Sequence, residues 1–182
     1  MMKPQERRSH SSDQHPRGGI PSEPVPQGRG GASRGIEELN ELYREVILDH
    51  FKSPARRGEL PQAQVRASGN NPLCGDELGI DLEFDGGRVV RARFHGKGCA
   101  ISQAAASMLA AQLEGKTLEE IVRLIGALKA LMRGEDPPEE LDLGDLEALA
   151  GVRKFPVRVK CAALSWNVVE QGLSEYQSRV GT

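Results

Sequence analysis

The sequence predicts an α+β fold, a small antiparallel three-stranded sheet packed against several helices. Three observations lead there. Apolar residues recur at helical spacing from Ile36, they switch to strict alternation between Leu78 and Phe94, and the alternation breaks once, at Asp85-Gly86-Gly87. With 182 residues, 38% of them hydrophobic, the chain is long enough for one domain with a proper core.

Residues 1–35 are rich in Gly, Pro, Ser, Gln and Arg and nearly free of large apolar side chains. They cannot bury enough surface to offset ordering entropy, so a disordered tail is expected there. His10 and His15 fall in that tail and read as solvated residues rather than ligands. The folded domain is expected over 36–175, followed by a short C-terminal tail over 176–182. Ile36, Leu39, Tyr43, Val46, Ile47 and Phe51 mark a first amphipathic helix, which Ser53-Pro54 ends. Gln64 to Ser68 reads as a short strand, and a polar turn follows from Asn70 to Asp76.

Leu78, Ile80, Leu82 and Phe84 then alternate with Gly79, Asp81 and Glu83, the pattern of a strand with one buried face. After the Asp-Gly-Gly reversal, Val90, Ala92 and Phe94 alternate with Arg91, Arg93 and His95 in a returning strand. The alanine-rich run Ile101 to Leu113 favours a helix closed by Gly115. Thr117 and Glu120 form the pattern of a capping box for another helix through Met132. Gly134 to Gly144, with Pro137-Pro138, predicts a loop, and a short helix is expected around Asp145 to Ala150. Pro156 suits the first turn of a last helix, with Cys161 early in it and Leu164, Trp166 and Val168 supplying buried bulk.

Composition excludes several functions. Residues 36–182 hold eighteen Lys/Arg against twenty-three Asp/Glu, and aromatics are 4% of the chain, so a nucleic-acid surface is not expected. No apolar run approaches the roughly 20 residues that span a bilayer, and a cytoplasmic location is expected. Three cysteines in a reducing compartment leave free thiols to explain.

Cys74 and Asp76 stand two apart on a turn stiffened by Pro72 and loosened by Gly75. Cys99 follows Gly96-Lys97-Gly98 at a strand-to-helix junction, where backbone N–H groups favour a thiolate. An antiparallel hairpin between Cys74 and Cys99 returns both to the same end of the sheet. Cys161 fits either a core residue or a third sulfur. Together they offer three sulfurs and one carboxylate, a tetrahedral zinc complement. Gly96-Lys97-Gly98 is not a dinucleotide loop, because Ile101 stands where a third glycine belongs. His50 and His95 read as surface or satisfied histidines. Arg158 lies three residues before Cys161 on one helix face, within reach of the same site, with Asp76 as its natural partner.

Three ordered motifs, Asn70-Asn71-Pro72-Leu73-Cys74-Gly75-Asp76, Gly96-Lys97-Gly98-Cys99-Ala100-Ile101-Ser102 and Arg158-Val159-Lys160-Cys161-Ala162, carry a resemblance. Over residues 37–173 the chain resembles the iron-sulfur assembly proteins of the SufU and IscU type. The resemblance implies the SufE/IscU-like fold, with Cys74, Asp76, Cys99 and Cys161 as zinc ligands and Cys74 also the sulfur acceptor. Its SufU branch is favoured by a helical insert over Glu114 to Leu141. Position 160 is Lys where IscU scaffolds carry His, and Phe155-Pro156-Val157-Arg158 has a single proline where their chaperone motif has two. The implied activity is zinc-dependent sulfur transfer. A pyridoxal-phosphate cysteine desulfurase of the SufS type donates persulfide sulfur to Cys74, Arg158 guides the exchange, and downstream iron-sulfur assembly machinery takes the sulfur on. The alternatives are a scaffold that builds a [2Fe-2S] cluster on the same ligands, and a binding module whose zinc only holds the fold.

Overall fold

A computed structural model describes residues 32–180. The first helix, α1 (Ala32–Lys52), buries Ile47 and half-buries Tyr43 and Val46, then stops at Ser53-Pro54. Its backbone begins four residues earlier than the apolar spacing indicated, since Ala32, Ser33 and Arg34 are tolerated in a helix without supplying an apolar face. The N-terminal tail expected over 1–35 therefore loses its last four residues to α1; the rest of it, with His10 and His15, lies outside the described residues.

Three strands, β1 (Val65–Asn71), β2 (Asp76–Asp85) and β3 (Arg88–Lys97), form an antiparallel sheet in the order β1-β2-β3. β1 runs three residues beyond the expected strand. Asn71 pairs with Asp76, so the polar turn is the tip of a hairpin whose loop is residues 72–75. At the other end of β2, Gly86 and Gly87 both take positive φ (55° and 78°), as a tight hairpin turn matched to strand twist requires.

β2 is buried on both faces, contrary to the one-sided burial its alternation indicated. Leu78, Ile80 and Leu82 enter the main core. Behind them, residues 56–64 cover the second face: Gly58 N–H donates to Phe94 O, Phe94 N–H to Arg56 O, and Leu60 N–H to Asp81 Oδ2 at 2.8 Å. Asp81 is thereby buried with a partner rather than solvated, and Glu83 is buried with Oε2 on Arg91 of β3 and Oε1 without a partner.

α2 (Ala100–Leu113) is the central helix, buried from Ser102 to Ala110, and it contacts α1, β3 and the last helix. α3 (Leu118–Arg133) opens with the expected capping box, Glu120 N–H to Thr117 Oγ1 and Thr117 N–H to Glu120 Oε2, and closes on Gly134 at φ 86°. A 3-10 segment (Gly144–Val152) stands where the short helix was expected and buries Leu146 and Leu149.

α4 (Pro156–Val180) lies across β1. Two glycines allow that approach. A Cβ at Gly172 would stand 2.7 Å from Val65 Cγ1, and one at Gly69 would stand 2.9 Å from Val168 Cγ2. The C-terminal tail expected from residue 176 is helical through Val180. Tyr176 stacks on Phe84 with ring centroids 5.2 Å apart, and Arg179 donates to Gln64 O, contacts that no apolar spacing in the sequence announces. Lys129 on α3 binds Glu170 on α4 at 2.6 Å, fastening α3 to the helix that carries Cys161.

Candidate metal centre

The site forms where the β1-β2 hairpin tip, the β3-to-α2 junction and the first turns of α4 meet. Asn71 O accepts from the N–H groups of Cys74 (3.2 Å) and Gly75 (2.8 Å), and Asn71 Oδ1 accepts from Leu73 N–H. Gly75 takes φ 68°, a region that disfavours other residues. This closed loop lifts Cys74 into solvent.

Cys161 lies beneath it, buried, with its Sγ 3.0 Å from Cys74 Sγ and 3.5 Å from Val157 O. The helical cysteine is thus no ordinary core residue. Asp76, first residue of β2, is 1% exposed. Donor atoms of Cys74, Asp76 and Cys161 all lie within 4.8 Å of one another. Cys99, the N-cap of α2, stands outside that trio, yet its N–H donates to Asp76 Oδ1 at 2.9 Å. Gly98 permits the approach, since a Cβ there would strike Ser102 Oγ and come within 2.9 Å of Asp76 Oδ1.

Two features test whether these residues fit a metal. Asp76 Oδ2 is buried and has no hydrogen-bond partner, an expensive state for a carboxylate oxygen unless something positive meets it. Burial also pushes the Cys161 thiol far above its ordinary range, and hydrogen bonds with Cys74 and Cys99 and the charges of Cys99 and Asp76 push it the same way. Two sulfurs and a carboxylate oxygen within 4.8 Å, with a third cysteine whose amide binds the same carboxylate, are donors of the zinc type. They fit the ion.

Asn71 was not among the ligands or catalytic residues read from the sequence, although it sits inside the first motif. Its Nδ2 points to Cys74 Sγ at 3.7 Å and Cys161 Sγ at 4.0 Å. Arg158 is exposed and makes no hydrogen bond or ion pair among the described residues, so the expected contact with Asp76 is not formed. Asp76 is enclosed behind the Cys99 loop, whereas Arg158 lines an apolar groove with Ile47, Leu48, Ile101 and Phe155. His50 and His95 lie elsewhere: His50 bridges Ser107 and Asp145, and His95 stands 3.9 Å from Asp81. Lys97 is paired with Glu77 at the surface. No helix among the described residues is long and apolar enough to cross a membrane.

Comparison with known proteins agrees with this geometry. The chain is 43% identical over 137 residues to the zinc-dependent sulfurtransferase SufU of Bacillus subtilis, covering 75% of this chain and 92% of that one. It is 37% identical over 138 residues to the iron-sulfur cluster assembly scaffold protein IscU of Streptococcus pyogenes, covering 76% and 86%. A crystal structure from Fervidobacterium islandicum, of a protein described as a cluster assembly scaffold for the SUF system, superposes with a TM-score of 0.68 at 34% identity, covering 74% of this chain and 98% of that one. Residues 42–182 match the model of the NifU-like N-terminal domain, and the chain belongs to that family.

Proposed function

We propose that this protein is a zinc-dependent sulfurtransferase of the SufU type. In this reading it accepts persulfide sulfur from a pyridoxal-phosphate cysteine desulfurase of the SufS type, in the cytoplasm, and passes it to the iron-sulfur assembly machinery. The observation that carries this is the pairing of an exposed Cys74 with a buried Cys161 at 3.0 Å, within 4.8 Å of a carboxylate oxygen of the buried Asp76. Names borne by the similar proteins, sulfurtransferase SufU and scaffold IscU, support a place in iron-sulfur assembly.

Cys74, Asp76, Cys161 and Cys99 would hold the metal. Zinc held there would keep coordinating thiols ionised at neutral pH without oxidising them. Cys74, on the exposed loop, is the residue that reaches a donor. Its thiolate attacks the terminal sulfur of the donor's persulfide. The donor's S–S bond breaks, the donor cysteine leaves with the electron pair as a thiolate, and a new S–S bond forms on Cys74, so no outside oxidant is needed. Asn71 Nδ2 faces the sulfur throughout, and the Cys99 N–H keeps Asp76 from turning away. Arg158, one helical turn before Cys161 and without an ion pair, guides the exchange. Leu73 and Val157, 66% and 60% exposed, put apolar surface beside the two sulfurs, suited to a protein donor.

Mass spectrometry after mixing with desulfurase and cysteine tests the reading. The intact protein gains one sulfur at Cys74, and a Cys74→Ala variant that gains sulfur at the normal rate refutes it. The second reading, a scaffold that assembles a [2Fe-2S] cluster on the same residues, is favoured by the scaffold relatives. Metal content and visible absorption separate the two, because zinc is colourless and the cluster is not.

A further inference from the structure

Only Gly98 and Cys99 join the end of β3 to the start of α2, so the place of Cys99 depends on how that short bridge is pinned. One side chain pins both of its ends. The Arg57 guanidinium donates from Nη2 to Gly96 O at 2.8 Å, three residues before Cys99. From Nη1 it donates to Gln103 Oε1 at 2.6 Å, four residues after Cys99. Its Cζ stands 5.7 Å from the centre of the Phe94 ring. The base of Arg57 is itself fixed, because the backbone on either side of it pairs with Phe94 through Gly58 N–H and Arg56 O.

The two anchors differ in what else holds them. Gln103 is 5% exposed and its Nε2 has no partner, so the bond to Arg57 is the only one its buried side-chain amide makes among the described residues. Gly96 is paired with Leu78 in the β2-β3 ladder and turns at φ 119°, with its carbonyl oxygen accepting from Arg57. The bridge in turn orients Asp76, whose Oδ1 is held by Cys99 N–H.

We infer that Arg57 is a positioning residue for the metal centre: by clamping Gly96 and Gln103 it fixes Cys99 and, through the Cys99 amide, the Asp76 carboxylate. This rests on the reading that the cluster holds zinc, while one arm of its test does not. In zinc-loaded protein, Arg57→Ala releases metal to a chromophoric chelator about tenfold faster, the usual effect of removing a group that orients ligands. It also changes the visible spectrum of the cobalt-substituted form. In metal-free protein, Arg57→Ala raises the alkylation rate of Cys99 several-fold, located by peptide mass spectrometry, and leaves that of Cys74 unchanged. Arg57→Lys, which keeps a cation but not the two-armed fork, recovers part of each effect, and Gln103→Leu, which removes one arm, gives a smaller version.

Unchanged metal release, cobalt spectrum and Cys99 reactivity overturn the inference. So do changes that merely track a fall in the melting temperature of the metal-free protein. If Arg57→Ala does not fold, Arg57→Lys and Gln103→Leu decide by the same readings. Wild-type protein that takes up no zinc defeats the proposed function alone, because Cys99 alkylation still reports on the clamp.

Discussion

Asn71 donates its side-chain amide to Cys74 Sγ at 3.7 Å from a position only 8% exposed. The same side chain caps the loop through Oδ1 to Leu73 N–H, so one residue both shapes the turn and faces its sulfur. Asn71→Asp retains the loop acceptor but sets a negative charge against two thiolates, whereas Asn71→Leu removes both contacts. The expected outcome is a zinc affinity about tenfold weaker for either variant, measured by chelator competition. Only Asn71→Leu should also speed proteolysis at the loop.

Glu114 joins three elements. Its Oε2 accepts from Arg56 Nε at 2.7 Å, and its Oε1 from Arg93 Nη1 and Ala92 N–H. Burial alone would raise its pKa, but the Ala92 amide and the two arginines outweigh burial and hold the carboxyl below its ordinary value. A carboxylate with a lowered folded-state pKa stabilises the fold above its unfolded value near 4.5 and loses that contribution as pH falls through the lower folded value. Glu114→Gln is therefore expected to cost about 1 kcal/mol at pH 7, given solvent screening, and to cost progressively less below pH 4.5. Urea unfolding at several pH values measures this, and an equal loss at every pH would contradict it.

Gly98 has no room for a side chain between Ser102 and Asp76. Gly98→Ala should displace the Asp76 carboxylate or the Cys99 amide and cut zinc occupancy severalfold. The metal-free melting temperature should change much less. Parallel metal analysis and thermal melting separate that outcome from general unfolding.

Loading the protein with zinc and then removing it with a chelator tests whether the metal merely holds the fold. None of the three cysteines belongs to the main apolar cluster, which runs from Ile47 through α2 and α3 to Leu173. Far-ultraviolet circular dichroism is expected to be unchanged after removal, with a lower melting temperature. Collapse of the helical signal would favour the purely structural role for zinc.

Much of this was legible in the sequence, for physical reasons. Alternation in β2 and β3 and the Thr117 capping box are local patterns, and local patterns need no knowledge of the rest of the chain. The nearness of Cys99 to Asp76 followed from the way a hairpin returns the chain to one end of a sheet, whereas the closest donor set takes its third member, Cys161, from a distant helix. Legibility failed where long-range cover decided the matter. Gly69 and two asparagines gave β1 a poor strand composition, yet pairing with β2 and the helix above it hold it extended through Asn71. Asp81 looked solvated, yet it is buried and accepts from Leu60 N–H in the segment before β1. Arg57 and Gln103 are 46 positions apart, and no spacing rule connects them.

The close passage of α4 over β1 at Gly69 and Gly172 has an outcome for biosynthesis. Cys161 reaches Cys74 from 87 residues away, and only once that helix has come down on the strand. A ribosome-bound chain that has emerged only as far as α3 lacks Cys161, so the Cys74–Cys161 pair does not yet exist. In the proposed zinc-binding role, the complete donor set exists only at the end of folding.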